Sequence, residues 1–183
     1  MKKALLWCIP ASFLLCFSIA PPLQGSIEIS YFLEDLGDLE ASRWKATYEV
    51  FNSDGSLEVN WLTVYFDYGF YDDLLIETPS PLADHWDENF QNPQFFDPLP
   101  VRGFYDLEAR SGGIGPGQSL TGFAVSFGWL GEGVPDRPQY FEIFDNSFNV
   151  LSDGYAIYIP EPATLLLLAV GTCLTSRRIR RRR

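Results

Sequence analysis

Carboxylates dominate the side chains of this sequence that could do chemistry. Asp72-Asp73, Asp84 with Asp87-Glu88, and Asp106 with Glu108 are paired acids of the kind a glycosidase uses as acid and base. Between positions 26 and 159, however, 23 of 134 residues are acidic, so such pairs arise by density alone and none stands out. A nucleophilic triad fares worse. His85 is the sole histidine, and neither Ser111 nor Ser119 lies in a Gly-x-Ser-x-Gly turn. Cys8, Cys16 and Cys173 all fall near the two ends, which removes thiol catalysis, Cys-based metal sites and disulfides from the body. The sequence therefore reads as non-enzymatic, with no catalytic residue and no resident metal. Structural calcium is the one cofactor with somewhere to go. Asn52-x-Asp54-Gly55 and the Asp84–Glu88 cluster place oxygens on loops, as a hard cation requires, though without EF-hand spacing. For binding, Trp86 and Trp129 sit beside turn residues and are read as exposed rings that stack on a glycan. Trp61, in a central strand, is read as core.

Charge narrows the partners. Residues 26–159 hold five basic residues against 23 acidic ones, a formal charge of −18, whereas the whole chain stands at −11 because eight of its 13 basic residues lie outside that stretch. A body this acidic repels nucleic acid and anionic headgroups, so nucleic-acid binding is excluded.

The elements that must position any site are strands. Helical periodicity is nearly absent from 26 to 159, and alternation recurs with turn signals between. Strands are expected at Ile27–Leu33, Thr47–Phe51, Leu57–Tyr68, Leu74–Glu77, Leu120–Phe127, Gln139–Phe144 and Gly154–Ile159. Asn52-Ser53-Asp54-Gly55 looks like a hairpin turn. Leu57–Tyr68 is apolar on both faces, which places it centrally in a sheet with Val64 and Phe66 in the core. Five prolines between 79 and 100 predict a long ordered loop, pinned by Trp86, Phe90, Phe95 and Phe96. Seven to nine strands with turns between them make an all-β antiparallel β-sandwich. The strand Tyr48–Asn52, followed by Gly115-Pro116-Gly117-Gln118-Ser119-Leu120 before a Phe-Val-Phe strand, resembles immunoglobulin-like cell-surface modules.

Two end segments flank the sandwich expected over 26–158. Residues 1–25 follow the plan of a secretory signal peptide, with Lys2 and Lys3, an apolar run and small residues, the mature start falling between positions 21 and 26. At the other end, Pro160-Glu161-Pro162 precedes 14 uncharged residues, Ala163–Ser176, expected to form a short transmembrane helix. That run is shorter than the ~20 residues that span a bilayer comfortably, but flanking arginines can reach the headgroups. Arg177, Arg178, Arg180, Arg181, Arg182 and Arg183 would hold the cytoplasmic side, leaving the acidic body outside. The order of motif, apolar run and arginine cluster over 159–183 resembles the PEP-CTERM sorting signal of bacteria. The resemblance implies an exosortase as partner, cutting near Pro160-Glu161-Pro162, with the arginines as membrane-retention patch. It further implies membrane anchorage before processing, then the cell surface or extracellular matrix, in association with exopolysaccharide or biofilm. The rival role is a carbohydrate-binding module; a secreted hydrolase ranks below it.

Overall fold

The computed structural model describes residues 26–37 and 42–160. The expected signal peptide, the transmembrane helix, Glu161, Pro162 and the arginine cluster lie outside those residues.

The described chain is all-β, with one four-residue helix. Its strands are β1 (Ile27–Asp35), β2 (Arg43–Asn52), β3 (Trp61–Phe66), β4 (Tyr71–Ile76), β5 (Trp86–Gln91), β6 (Gln94–Phe96), β7 (Leu99–Val101), β8 (Gly103–Ala109), β9 (Ser119–Trp129), β10 (Gln139–Phe144) and β11 (Val150–Tyr158). The helix α1 (Leu82–His85) leads into β5. Two sheets face each other, one ordered β4-β9-β2-β1 and the other β11-β10-β3-β8-β5. All their pairings are antiparallel except where the end of β11 meets β1, through Ser30↔Ile157 and Tyr31↔Tyr158, and joins the sheets. β6 and β7 form a separate two-stranded ribbon.

Alternation decides which side chains fill the space between the sheets. In β10, Gln139, Phe141 and Ile143 are buried while Tyr140, Glu142 and Phe144 face outward. In β1 the inward set is Ile27, Ile29, Tyr31 and Leu33. Aromatic rings meet across the gap: Tyr48 with Tyr105 at 6.3 Å, Phe66 with Phe127 at 6.0 Å and Trp86 with Phe123 at 5.0 Å between centroids. Val64 and Phe66 are fully buried as expected, and β3 is the middle strand of its sheet.

Buried polar groups tie the layers together. The Tyr48 hydroxyl donates to Gln139 Oε1 at 2.7 Å, and Tyr31 donates to the Arg137 carbonyl at 2.8 Å. Asn52, fully buried, donates through Nδ2 to the carbonyls of Leu57 and Ile114 (2.7 and 2.8 Å), joining the turn after β2 to the glycine-rich connection before β9. At Gly113 that connection passes so close to β3's lead-in that a Cβ would lie 2.1 Å from the Val59 carbonyl oxygen.

Three expectations are corrected. Residues 79–100 are not one long loop: they contain α1, β5, β6 and β7. Pro79, Pro81, Pro93 and Pro98 fall between and beside these elements and Pro100 lies within the short β7, none of them inside β5. Asn52–Gly55 is not a hairpin turn, because β2 and β3 belong to different sheets and the chain crosses between them. The immunoglobulin-like pattern holds only locally. β9 pairs with β2 and β4, as an immunoglobulin E strand pairs with B and D, but the second sheet has five strands where a constant-type domain has three, and its two extra strands follow β4 in the chain, whereas those of a variable-type domain precede strand D. The extra strands are β5 and β8, both unforeseen as strands.

A candidate binding face

β3, β8, β10 and β11 expose a surface on the outer side of the second sheet. Their register places outward residues in cross-strand rows. Glu142 lies opposite Thr63 and Asp153, and Thr63 opposite Asp106, making a polar row. On one side of it lies an aromatic row of Phe104, Tyr65, Tyr140 and Tyr155. Tyr65 and Tyr140 are 5.7 Å apart, and Tyr140 and Tyr155 5.6 Å. On the other side Trp61 meets Phe144 at 5.8 Å and Phe148 at 4.7 Å. Phe148 holds its position with a φ of 64°, a left-handed conformation uncommon for a bulky side chain and costing about 1–3 kcal/mol. The residue stays 71% exposed.

The acidic row is the acceptor for the aromatic ones. Tyr65 donates to Glu142 Oε2 at 2.6 Å, while Tyr140 donates to Glu142 Oε1 and Asp153 Oδ2, both at 3.1 Å. Trp61 Nε1 donates to Asp106 Oδ1 at 2.6 Å, and Thr63 donates to the same oxygen. Burial and these carboxylates raise the Tyr140 phenol to about 12 and push Tyr65 up as well, so both remain hydroxyl donors at neutral pH. Beyond Phe144 the surface drops into a depression of about 350 Å³ lined by Glu58, Asn60, Phe144, Asp145, Asn146, Ser147 and Leu151. Asp145 accepts from the Ser147 and Asn149 amides and from Asn149 Nδ2, which keeps its carboxyl below the usual range and fixes that turn.

Such a face offers ring surfaces for the C–H side of a sugar, and carboxylate lone pairs between them for its hydroxyls. The rows run across strands, so contacts repeat along a line and suit a chain of sugars better than one ring.

The tryptophans expected to stack do not face solvent. Trp86 is 4% exposed and Trp129 is 7%. Both occupy inward positions at strand ends. Trp86 meets Phe123 edge-on, and Trp129 stacks on Phe70 at 5.9 Å and meets Tyr71 at 5.2 Å. Trp61, expected in the core, is instead the partly exposed one on the outer face. The signal was present in the alternation of Trp61, Thr63 and Tyr65 on one side of β3. What the sequence lacked was that a second sheet would cover only one of the two sides.

The carboxylate pairs are engaged structurally. Asp73 pairs with Arg43 at 2.6 Å, and Asp87 with Arg110 at 3.6 Å. Glu88 points inward and accepts from Tyr105 and from Thr78 Oγ1 (2.7 Å), linking β5 to the strand end after β4. The calcium candidates are likewise occupied: Asp54 Oδ1 accepts from the Ser56 and Leu57 amides and from Ser56 Oγ, and Asp84 accepts from Ser80 Oγ. Among the described residues no group of three or more acidic, histidine or cysteine side chains lies close enough to hold a metal ion. His85 ends α1 exposed.

No protein-family model matches the chain, and no curated protein does. Solved structures that align with it include the following three. A CBM3 from Hungateiclostridium clariflavum aligns at TM-score 0.45 and 10% identity, over 69% of this chain and 97% of that one. The second type II cohesin module of the ScaA scaffoldin of Acetivibrio cellulolyticus aligns at 0.35 and 11%, over 77% and 96%. A GH20 exo-β-N-acetylglucosaminidase from Vibrio harveyi aligns at 0.34 and 7%, over 73% of this chain but 18% of that one. None of the three bears on what this chain binds.

Proposed function

We propose that the chain is an exported, non-enzymatic surface or matrix protein whose sandwich associates with polysaccharide through the outer face of its second sheet. The observation that carries this reading is the acidic row of Asp106, Glu142 and Asp153 set between two rows of aromatic rings, all on one sheet face.

Delivery rests on the ends. Residues 1–25 act as the signal peptide, and Pro160-Glu161-Pro162 with the following apolar run and arginines resembles a PEP-CTERM tail, so an exosortase is the partner that removes it. Two prolines keep the motif extended and free of helical hydrogen bonds, as a protease cleft requires.

Two experiments test the two halves separately. A glycan array probed with the wild type, Trp61→Ala and Tyr140→Ala should give binding that either substitution weakens; a uniformly silent array rejects the binding face. Mass spectrometry of the protein recovered from the cell surface should show loss of the N-terminal segment and of the arginine cluster. An intact Arg183 there rejects the sorting reading.

A further inference from the structure

The strand directions divide the sandwich into two ends. β1, β3, β5, β9 and β11 all run toward one of them, and the other main strands run away from it. The connections 67–70, 92–102 and 130–138 therefore gather at the end where Ile159 leaves the sheet, its amide bonded to the Tyr31 carbonyl at 2.9 Å. Exposed apolar side chains gather there too. Tyr68 is 45% exposed, Phe95 53%, Phe96 58%, Leu99 66%, Leu130 60% and Val134 44%. The β6–β7 ribbon is the centre of this tip. All six of its strand residues are exposed, so it presents phenylalanine and leucine on a ribbon that packs little of itself onto the core. It is nonetheless braced. Phe95 meets Tyr68 at 5.7 Å, and Arg102 pairs with Asp67 at 2.9 Å, which also neutralises charge at its base.

A cluster of exposed apolar groups marks an interaction surface. Where the chain goes next identifies the occupant. Immediately past this end come Pro160 to Pro162, then 14 uncharged residues and the arginines. We infer that the tip seats in the interfacial layer of the lipid bilayer while the tail is inserted, with the β6–β7 ribbon dipping its aromatic and aliphatic side chains among the headgroups. This rests on reading the tail as a membrane segment. Asp97 at the ribbon's turn limits the depth to the headgroup layer, and the acidic body makes a zwitterionic surface the better partner. Seated this way, the sandwich stands upright, Pro160-Glu161-Pro162 lies at the membrane surface, and the aromatic face points sideways.

The test uses the full chain in phosphatidylcholine vesicles, with Cys8, Cys16 and Cys173 replaced by serine. Nitroxide labels are placed singly at Leu99→Cys, at Asn146→Cys on the opposite end, and at position 173 by retaining that cysteine. The exposed positions 99 and 146 should leave the melting temperature unchanged, which confirms folding. Label 99 should be accessible to oxygen and several-fold less accessible to a polar nickel chelate than label 146. An aqueous label 99 overturns the inference; label 173 then tells which premise failed, since 173 in lipid leaves the tail reading standing and 173 in water removes it. Strong spin–spin broadening at 99, lost on dilution with unlabelled protein, would instead assign the tip to a second copy of the chain and also overturn it.

Discussion

Raising the pH above 10 should unfold the sandwich cooperatively, because four tyrosines are sealed between its sheets. Tyr31, Tyr48 and Tyr105 are fully buried and Tyr71 is 3% exposed. Burial, above all else, raises each phenol: Tyr71 to about 12, and the other three higher. The sign follows from linkage. A raised folded-state value means that the native state keeps protons which the unfolded state releases from about pH 10 upward, so stability is intact below pH 10 and falls through the alkaline range. Each tyrosine that ionises only on unfolding removes about 1.4 kcal/mol at pH 11. Four together remove about 5–6 kcal/mol there and about 10 kcal/mol at pH 12, against a typical domain stability of about 5–15 kcal/mol. The transition should therefore fall between about pH 11 and 12. Its assay is phenolate absorbance recorded beside far-ultraviolet circular dichroism. The phenolate signal of these four rings should arrive in one step, coincident with loss of the β signal. Phenolates accumulating gradually while the β signal persists would refute the sealed core.

Further outcomes follow from particular contacts. Trp86→Ala should cost about 3–5 kcal/mol by opening the core beside Phe123, a fall in melting temperature of 10 °C or more by the usual scaling, whereas Trp61→Ala on the outer face should cost about 1–2 kcal/mol. Equal losses in thermal melts would invert the assignment of the two tryptophans. Asn52→Ala takes the side-chain donor from the Leu57 carbonyl and one of two donors from the Ile114 carbonyl, which keeps the Val59 amide, and should cost about 1–3 kcal/mol by denaturant titration. Asn52→Asp should be no better, since it sets a negative charge against the same two carbonyls.

The strands that sequence made plain are those whose faces differ most. β10 runs from Gln139 to Phe144 as its alternation indicated, and Phe123, Val125 and Phe127 of β9 share one buried face. β5 escaped notice for a physical reason. It is an edge strand, and its inward side carries Glu88, whose charge is tolerated only because Tyr105 and Thr78 donate to it. A sequence cannot show those donors, which come from 17 residues ahead and ten behind. β8 escaped in the same way, its outward side reading Phe104, Asp106, Glu108 and so lacking a uniformly polar face. The candidate face was half legible. Val64 and Phe66 were rightly placed in the core, but Trp61 on the opposite side of β3 was placed there too, because a strand apolar on both faces does not show that only one of them is covered. Trp86 and Trp129 misled because proximity to a turn describes position along the chain, while burial depends on the direction a strand's last residue points.

The measurement that bears most directly on the proposed function is affinity electrophoresis of the protein through gels carrying a series of neutral polysaccharides. Retardation by at least one of them is expected, with affinity reduced about tenfold or more in Trp61→Ala and in Tyr140→Ala, equivalent to about 1.4 kcal/mol per ring. Mobility unchanged in every gel, or retardation that survives both substitutions, would contradict a polysaccharide-binding face on the second sheet.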